Sequence, residues 1–167
     1  MPYLSERARK MKMDFFFRDV PPTARILEIG SGDGWLKKGL AERGFQTYQN
    51  IDLFPPADIV GDIRDWRKIG LQPSSFDVIV AFEVAEHVDI FNECYELLAD
   101  GGRLFLTTPY PHADWFLKIL EMIGLTQKRT SPHSNLVYLK TIKRFEENQV
   151  FNKVGLSQWA IMTKRSG

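Results

Sequence analysis

The pentad Arg25–Ile29 (RILEI) runs into Gly30-Ser31-Gly32-Asp33-Gly34, and no other stretch of this 167-residue chain restricts its fold as strongly. Five residues with an apolar core read as a short buried strand. The glycines that follow permit positive φ and let backbone come close to a ligand. Residues 35–43 then read as a helix, with Gly44 as its stop signal. A strand that feeds a glycine-rich turn into a helix N-terminus is a ligand-binding device of open α/β sheets, which bind at the carboxyl ends of their strands.

The rest of the chain continues the alternation. Residues 46–51 read as a second strand ending at Asp52, residues 57–60 as a third ending near Asp62, and residues 76–81 (FDVIVA) as the clearest buried strand. A helix is expected over 89–98, a turn at Asp100-Gly101-Gly102, and a strand over 103–108 stopped by Pro109. Strands alternating with helices predict an α/β fold, a mostly parallel sheet with helices on both faces. The last third predicts a helix over 115–123, a loop over 126–135 and a helix over 136–145. An antiparallel C-terminal hairpin of residues 149–154 and 157–163 is expected around Gly155. Residues 1–22 form a leader, helical over 4–17 and broken by Pro21-Pro22. It reads as an amphipathic helix packed on the edge of the domain or as a lid over a cleft. Residues 23–167 read as a single domain without repeats or low-complexity segments.

Length and composition fit one globular domain. Lys plus Arg is 22 and Asp plus Glu is 21, a formal net charge of +1 that gives no electrostatic case for nucleic acid. Cys94 is the single cysteine, so an internal disulfide framework is impossible, and a reducing, cytoplasmic setting is expected. No apolar run approaches the roughly 20 residues of a membrane span. The three histidines and one cysteine show no metal-ligand spacing. The loop lacks both the G-K-[ST] end of a phosphate-binding loop and the G-x-S-x-G elbow of a hydrolase.

Two ligand classes use a glycine turn of this kind. A dinucleotide fold needs G-x-G-x-x-G/A, and the third small position, counted from Gly30, is occupied by Trp35. Glu28 lies two residues before Gly30; an acidic group there attracts an amino-bearing ligand and repels a pyrophosphate. Both features favour an aminoacyl nucleoside over a dinucleotide. Asp52, about 20 residues beyond the glycines, stands where a carboxylate accepts hydrogen bonds from ribose hydroxyls.

On these residues, Glu28-Ile29-Gly30-Ser31-Gly32-Asp33-Gly34 resembles motif I of the class I, Rossmann-like S-adenosylmethionine-dependent methyltransferases. Residues 82–88 (FEVAEHV) are similar to the family's "EVLEHV", and residues 97–112 (LLADGGRLFLTTPYPH) to its "LLKPGGRLLLTTPNPH". The resemblance runs over roughly residues 24–112 and implies S-adenosyl-L-methionine as cofactor. It implies a cofactor site of Glu28, Gly30, Ser31, Gly32, Gly34, Asp52, Leu53, Asp62, Ile63 and Phe82. Asp62 would face the adenine amine, the Ile63 N–H a ring nitrogen, and backbone near Phe82 the methionine moiety. One departure stands out: Asp52 is followed by Leu53-Phe54-Pro55-Pro56 and the third strand at once, too short for the usual intervening helix.

The mouth of the sheet would hold Glu83, His87, Tyr110, His112 and His133. His87 is the first candidate for a base, because imidazole titrates near neutrality, with Glu86 as its possible orienter. The expected activity is methyl transfer to a small or medium small-molecule acceptor, with no nucleic-acid partner and no set oligomeric state. The competing expectation is a methyltransferase-like binding module acting as a non-catalytic partner subunit. The S/N/D-P-P-Y/F tetrapeptide of amino-methylating nucleic-acid enzymes is absent after the fourth strand.

Overall fold

The computed structural model describes residues 2–109, 138–153 and 157–167. In chain order the elements are helix α1 (Pro2–Phe16), strand β1 (Arg25–Ile29), helix α2 (Trp35–Glu42), strands β2 (Thr47–Asp52) and β3 (Ile59–Val60), a 3-10 turn (Ile63–Asp65), strand β4 (Phe76–Phe82), helix α3 (Phe91–Leu97), strand β5 (Leu98–Pro109), a second 3-10 turn (Leu139–Thr141), and strands β6 (Glu147–Lys153) and β7 (Ser157–Thr163). The seven strands form one sheet in the order β3-β2-β1-β4-β5-β7-β6. The first five pair in parallel, and β7 lies antiparallel between β5 and β6.

Each face of the sheet has its own core. On one side α1 and α2 bring Met13, Phe16, Phe17, Leu36 and Leu40 against Ile26, Val78, Val80, Phe105 and Trp159. On the other, Ile63, Trp66, Phe91, Cys94, Leu97 and Leu139 pack with Leu27, Ile79, Leu104 and Leu106. The alternation of Ile26 and Leu27, or Val78 and Ile79, between the two cores follows from the period-2 side-chain direction of a strand. The leader helix is therefore part of the core. Phe16 alone meets Phe82, Phe105 and Trp159 at ring-centroid distances of 5.1, 5.3 and 5.4 Å.

Three expectations need correction. Asp100-Gly101-Gly102 does not end one element and begin another; it lies inside β5. The register steps from Phe76↔Leu98 to Val78↔Arg103, so five steps on β5 oppose two on β4. This bulge is built on Gly101 at φ 71° and on Gly102, where a Cβ would lie 2.7 Å from the Ala99 carbonyl oxygen. The described part of the helix expected over 136–145 is instead a 3-10 turn followed by loop. Leu139 is fully buried, its N–H donates to Gln158 Oε1 at 3.0 Å, and Asn148 Nδ2 donates to the carbonyls of Leu139 and Ile142. Partners from the terminal hairpin take the groups that a helical ladder would use. The third is the length of β3, expected over 57–60 and found at Ile59–Val60, while the short connection from β2 is as the sequence predicts. Strands β2 and β3 pair in parallel across only residues 53–58, which is possible because β3 contributes just two residues, at the carboxyl end of β2. The helix expected over 115–123, the loop over 126–135 and the turn at Gly155 lie outside the described residues.

Replacement of Phe16 by Ala empties a site that is 2% exposed and is expected to cost about 3–5 kcal/mol of unfolding free energy. Arg18→Ala, which removes an exposed ion pair with Asp19, should cost no more than about 0.5 kcal/mol. Urea titrations of the two variants check this, and equal midpoints would contradict the packing of α1 into the core.

Candidate functional site

Strand order reverses between β1 and β4: the chain leaves β1 toward β2 on one side and later returns to place β4 on the other. A crevice opens at the carboxyl ends of strands at such a point. A cavity of about 510 Å³ lies there, lined among others by Gly30, Gly32, Asp52, Phe54, Asp62, Phe82 and His87.

The loop after β1 forms one wall. Gly30 continues the pairing of β1 with β2 by donating its N–H to the Ile51 carbonyl at 2.9 Å, and then turns at φ 76°. A Cβ at residue 30 would lie 2.6 Å from Val84 Cγ2. Only glycine lets the loop approach the segment after β4 this closely. Beside the loop, Asp52 Oδ2 accepts the Gly32 N–H at 3.2 Å and Asp52 Oδ1 accepts the Phe54 N–H at 3.2 Å. The carboxylate at the tip of β2 is thus held against the glycine loop while still lining the cavity.

Asp62 opens the 3-10 turn as its cap, accepting the Arg64 N–H at 2.9 Å and both Nε and Nη2 of the Arg64 side chain. The Arg64 guanidinium holds the Asp62 carboxyl below the ordinary carboxylate range. Leu53, Asp62, Ile63 and Arg64 all line the cavity. At the other end lie Phe82, Glu83, Val84, His87 and Val88. Glu83 adopts φ 58°, a conformation costing a residue with a Cβ roughly 1–3 kcal/mol. Its N–H donates to the Thr107 carbonyl at 2.8 Å, and its Oε1 accepts from Thr107 Oγ1 at 2.6 Å and from Lys12 Nζ at 3.1 Å. The leader helix therefore reaches the site twice, since Arg9 also pairs with Asp33 of the glycine loop at 2.6 Å.

Nine of the sequence-selected residues come together on this cavity: Gly30, Gly32, Asp52, Leu53, Asp62, Ile63, Phe82, Glu83 and His87. Glu28, Ser31 and Gly34 do not line it. Glu28 is 3% exposed and accepts a hydrogen bond from the Tyr48 hydroxyl. Burial pushes its carboxyl up to about 8, against that hydrogen bond and with the charges of Asp52 and Asp33 adding. Gly34, at φ 74°, borders a separate groove between α1 and α2. Glu86, considered as the orienter of His87, is buried and accepts from Thr108 Oγ1 at 3.0 Å. Burial, then the neighbouring Glu83, pushes Glu86 up to about 8. Tyr110, His112 and His133 lie outside the described residues. Sequence reasoning missed Arg64, Lys12 and Tyr48. The proximity of Arg64 to Asp62 in the chain was a usable signal, whereas Lys12 and Tyr48 reach the site only through tertiary packing.

The residues present fit an aminoacyl nucleoside. The loop makes a cradle that a Cβ at residue 30 would fill; Asp52 and Glu83 line the cavity, and the charges of Asp52 and Asp33 act on Glu28, which does not line it. Ser31 Oγ is buried in that loop without a hydrogen-bond partner among the described residues, a state that costs about 1–3 kcal/mol if left unmet.

The sheet order, the antiparallel β7 and the glycine loop after β1 define a class I methyltransferase fold. Residues 3–156 match the methyltransferase domain family, and the chain belongs to that family. Among curated relatives, it is 26% identical to the ubiquinone biosynthesis O-methyltransferase of Idiomarina loihiensis over 80% of this chain and 63% of that protein. It is 33% identical to the protein of the same name from Xylella fastidiosa over 59% of this chain and 47% of that protein. The chain thus spans less than two thirds of the length of either relative. Among solved structures, the S-adenosylmethionine-dependent methyltransferase of Archaeoglobus fulgidus shares its fold with a TM-score of 0.62 at 14% identity, over 95% of this chain and 94% of that one.

Gly30→Ala should destabilise the protein more than Gly32→Ala. Both residues have positive φ, but nothing lies within 4 Å of a Cβ at residue 32, so only the backbone cost of roughly 1–3 kcal/mol applies there. Adding Val84→Ala to Gly30→Ala should recover the difference. Thermal melts of the three variants decide this; no recovery in the double variant would contradict the contact between the loop and Val84.

Proposed function

We propose that the protein is an S-adenosylmethionine-dependent methyltransferase that moves a methyl group to a hydroxyl oxygen of a small-molecule acceptor. The observation that carries the reading is the Asp52 carboxylate, bound to the Gly32 N–H at one edge of an open cavity. A carboxylate so held can accept from both hydroxyls of a ribose. Asp62, kept ionised by Arg64, offers an acceptor for the adenine amine, and the exposed Leu53 and Phe54 offer apolar cover for the base. The loop of residues 30–34 takes the aminoacyl end, and Phe82 borders it.

S-adenosylmethionine, when bound, supplies a methyl group on a sulfonium, already activated for in-line displacement. The protein's part is then to align the acceptor oxygen and keep water out. His87 lines the same cavity beside Val84 and Val88 and serves as the acceptor of the hydroxyl proton. The hydroxyl acceptor is supported by the name of the two relatives, O-methyltransferases of ubiquinone biosynthesis.

Calorimetry with S-adenosylmethionine and S-adenosylhomocysteine tests the cofactor half. Asp52→Ala should weaken both by about tenfold to a hundredfold, the loss of one or two hydrogen bonds to a charged group. Turnover of catechol probes such as 3,4-dihydroxybenzoate tests the other half. His87→Ala should lower kcat by about a hundredfold or more while leaving cofactor affinity within about twofold. Cofactor binding without turnover of any hydroxyl acceptor would favour a non-catalytic partner subunit, and no cofactor binding would overturn the reading altogether.

A further inference from the structure

Among residues that do not line the cavity, a chain of polar contacts runs from β1 through β2 to α2, and the proposed reaction does not use it. The Tyr48 hydroxyl on β2 donates to Glu28 on β1 and accepts from Asn50 Nδ2 at 3.3 Å. Asn50 Oδ1 accepts the Asp58 N–H at 2.7 Å, and Asp58 Oδ2 accepts the Asn50 N–H at 3.3 Å. Asp58 Oδ1 ends the chain on Lys37 Nζ of α2 at 2.6 Å, at the surface. The chain joins a carboxyl that is 3% exposed to a solvated cation.

The groups that face Glu28 are the phenol of Tyr48 and the carboxylates of Asp52 and Asp33. Lys37 lies 5.9 Å from the Tyr48 ring centre, and Arg9 of α1 pairs with Asp33. Burial, then the nearby Glu28, holds the Tyr48 phenol protonated well above its ordinary range, so Tyr48 is the donor in this pair. Burial, and then two like charges, disfavour an ionised Glu28 while the cavity lacks a cation, and its carboxyl rises to about 8. An ammonium and a sulfonium on the cavity side of the loop reverse that balance by Coulomb attraction.

We propose that Tyr48 is a positioning residue of the cofactor site, the donor that lets Glu28 carry a negative charge when a cationic aminoacyl nucleoside occupies the cavity. The inference rests on the cofactor reading of that cavity. Binding then expels the Glu28 proton, and affinity rises with pH until Glu28 of the free protein is already ionised. The sign follows from the raised carboxyl: only the ionised form attracts the cation, and near neutrality the free protein must lose a proton to reach it.

The test is calorimetry of the whole chain with S-adenosylmethionine in two buffers of different ionisation enthalpy, at about pH 7 and about pH 9. The wild-type protein should release close to one proton at the lower pH and little at the higher. 5′-Methylthioadenosine, which lacks the amino-acid group and the sulfonium and so both positive charges, should bind without proton release. Tyr48→Phe should weaken S-adenosylmethionine about tenfold at the lower pH, equivalent to about one pKa unit, and recover at the higher. Glu28→Gln should abolish proton release and flatten the pH profile. A wild-type protein that binds S-adenosylmethionine with no proton release overturns this inference and leaves the cofactor reading standing. So does a Tyr48→Phe variant with wild-type proton release and pH profile, even one with a lowered melting temperature, since a structural role alone would produce that. No binding of S-adenosylmethionine to the wild type overturns both.

Discussion

The site depends on the absence of a side chain at residue 30. The loop that leaves β1 must turn at positive φ and pass within van der Waals reach of Val84. Gly30 and Val84, beyond the ends of the paired strands β1 and β4, both line the crevice. The same loop brings the Gly32 N–H to Asp52, which fixes a carboxylate at the tip of β2 beside it. A larger residue at position 30 would be strained at this φ and would meet the Val84 side chain, so the loop or Val84 would have to shift. The scaffold needed for this is ordinary: parallel strands buried on both faces, whose side chains alternate between two apolar cores.

Charge is distributed unevenly on that scaffold. The chain as a whole is almost neutral, yet acidic groups gather at the carboxyl edge of the sheet: Glu28, Asp33, Asp52, Asp62, Glu83 and Glu86. Basic side chains restrain several of them from outside. Arg9 holds Asp33, Lys12 holds Glu83, and Arg64 holds Asp62. Glu28 and Glu86 are instead buried against hydroxyls, of Tyr48 and Thr108 respectively, and are pushed toward the neutral form. An edge of this kind suits a ligand that brings positive charge and repels a polyanion. Two of the restraining cations belong to α1, so the leader helix ties the state of the site to the packing of Phe16 and Phe17 in the core.

Much of this was legible in the sequence because it is local. The strand RILEI, the glycine spacing, Asp52 at the end of the next strand and the buried run FDVIVA each depend on neighbours within a few residues, and each takes the expected place. The same holds for the terminal hairpin. What escaped was set by distant partners. The segment around Leu139 has apolar spacing compatible with a helix, but Asn148 and Gln158 take its backbone groups. Asp100-Gly101-Gly102 has turn chemistry, which the sheet absorbs as a bulge because pairing with β4 resumes at Arg103. The spacing of Glu28 from Gly30 is visible in the sequence, but its partner, the Tyr48 hydroxyl on the neighbouring strand, is not. A single chain does not reveal which residue stands beside another on the next strand until the register, here Glu28 opposite Asn50, is known.

A crystal structure with S-adenosylhomocysteine tests the central claim most directly. The account predicts the ribose hydroxyls within hydrogen-bond distance of the Asp52 carboxylate, about 2.5–3.2 Å, with the aminoacyl end against the loop of residues 30–34. Density for the nucleoside in the groove between α1 and α2, or a ribose out of reach of Asp52, would contradict it.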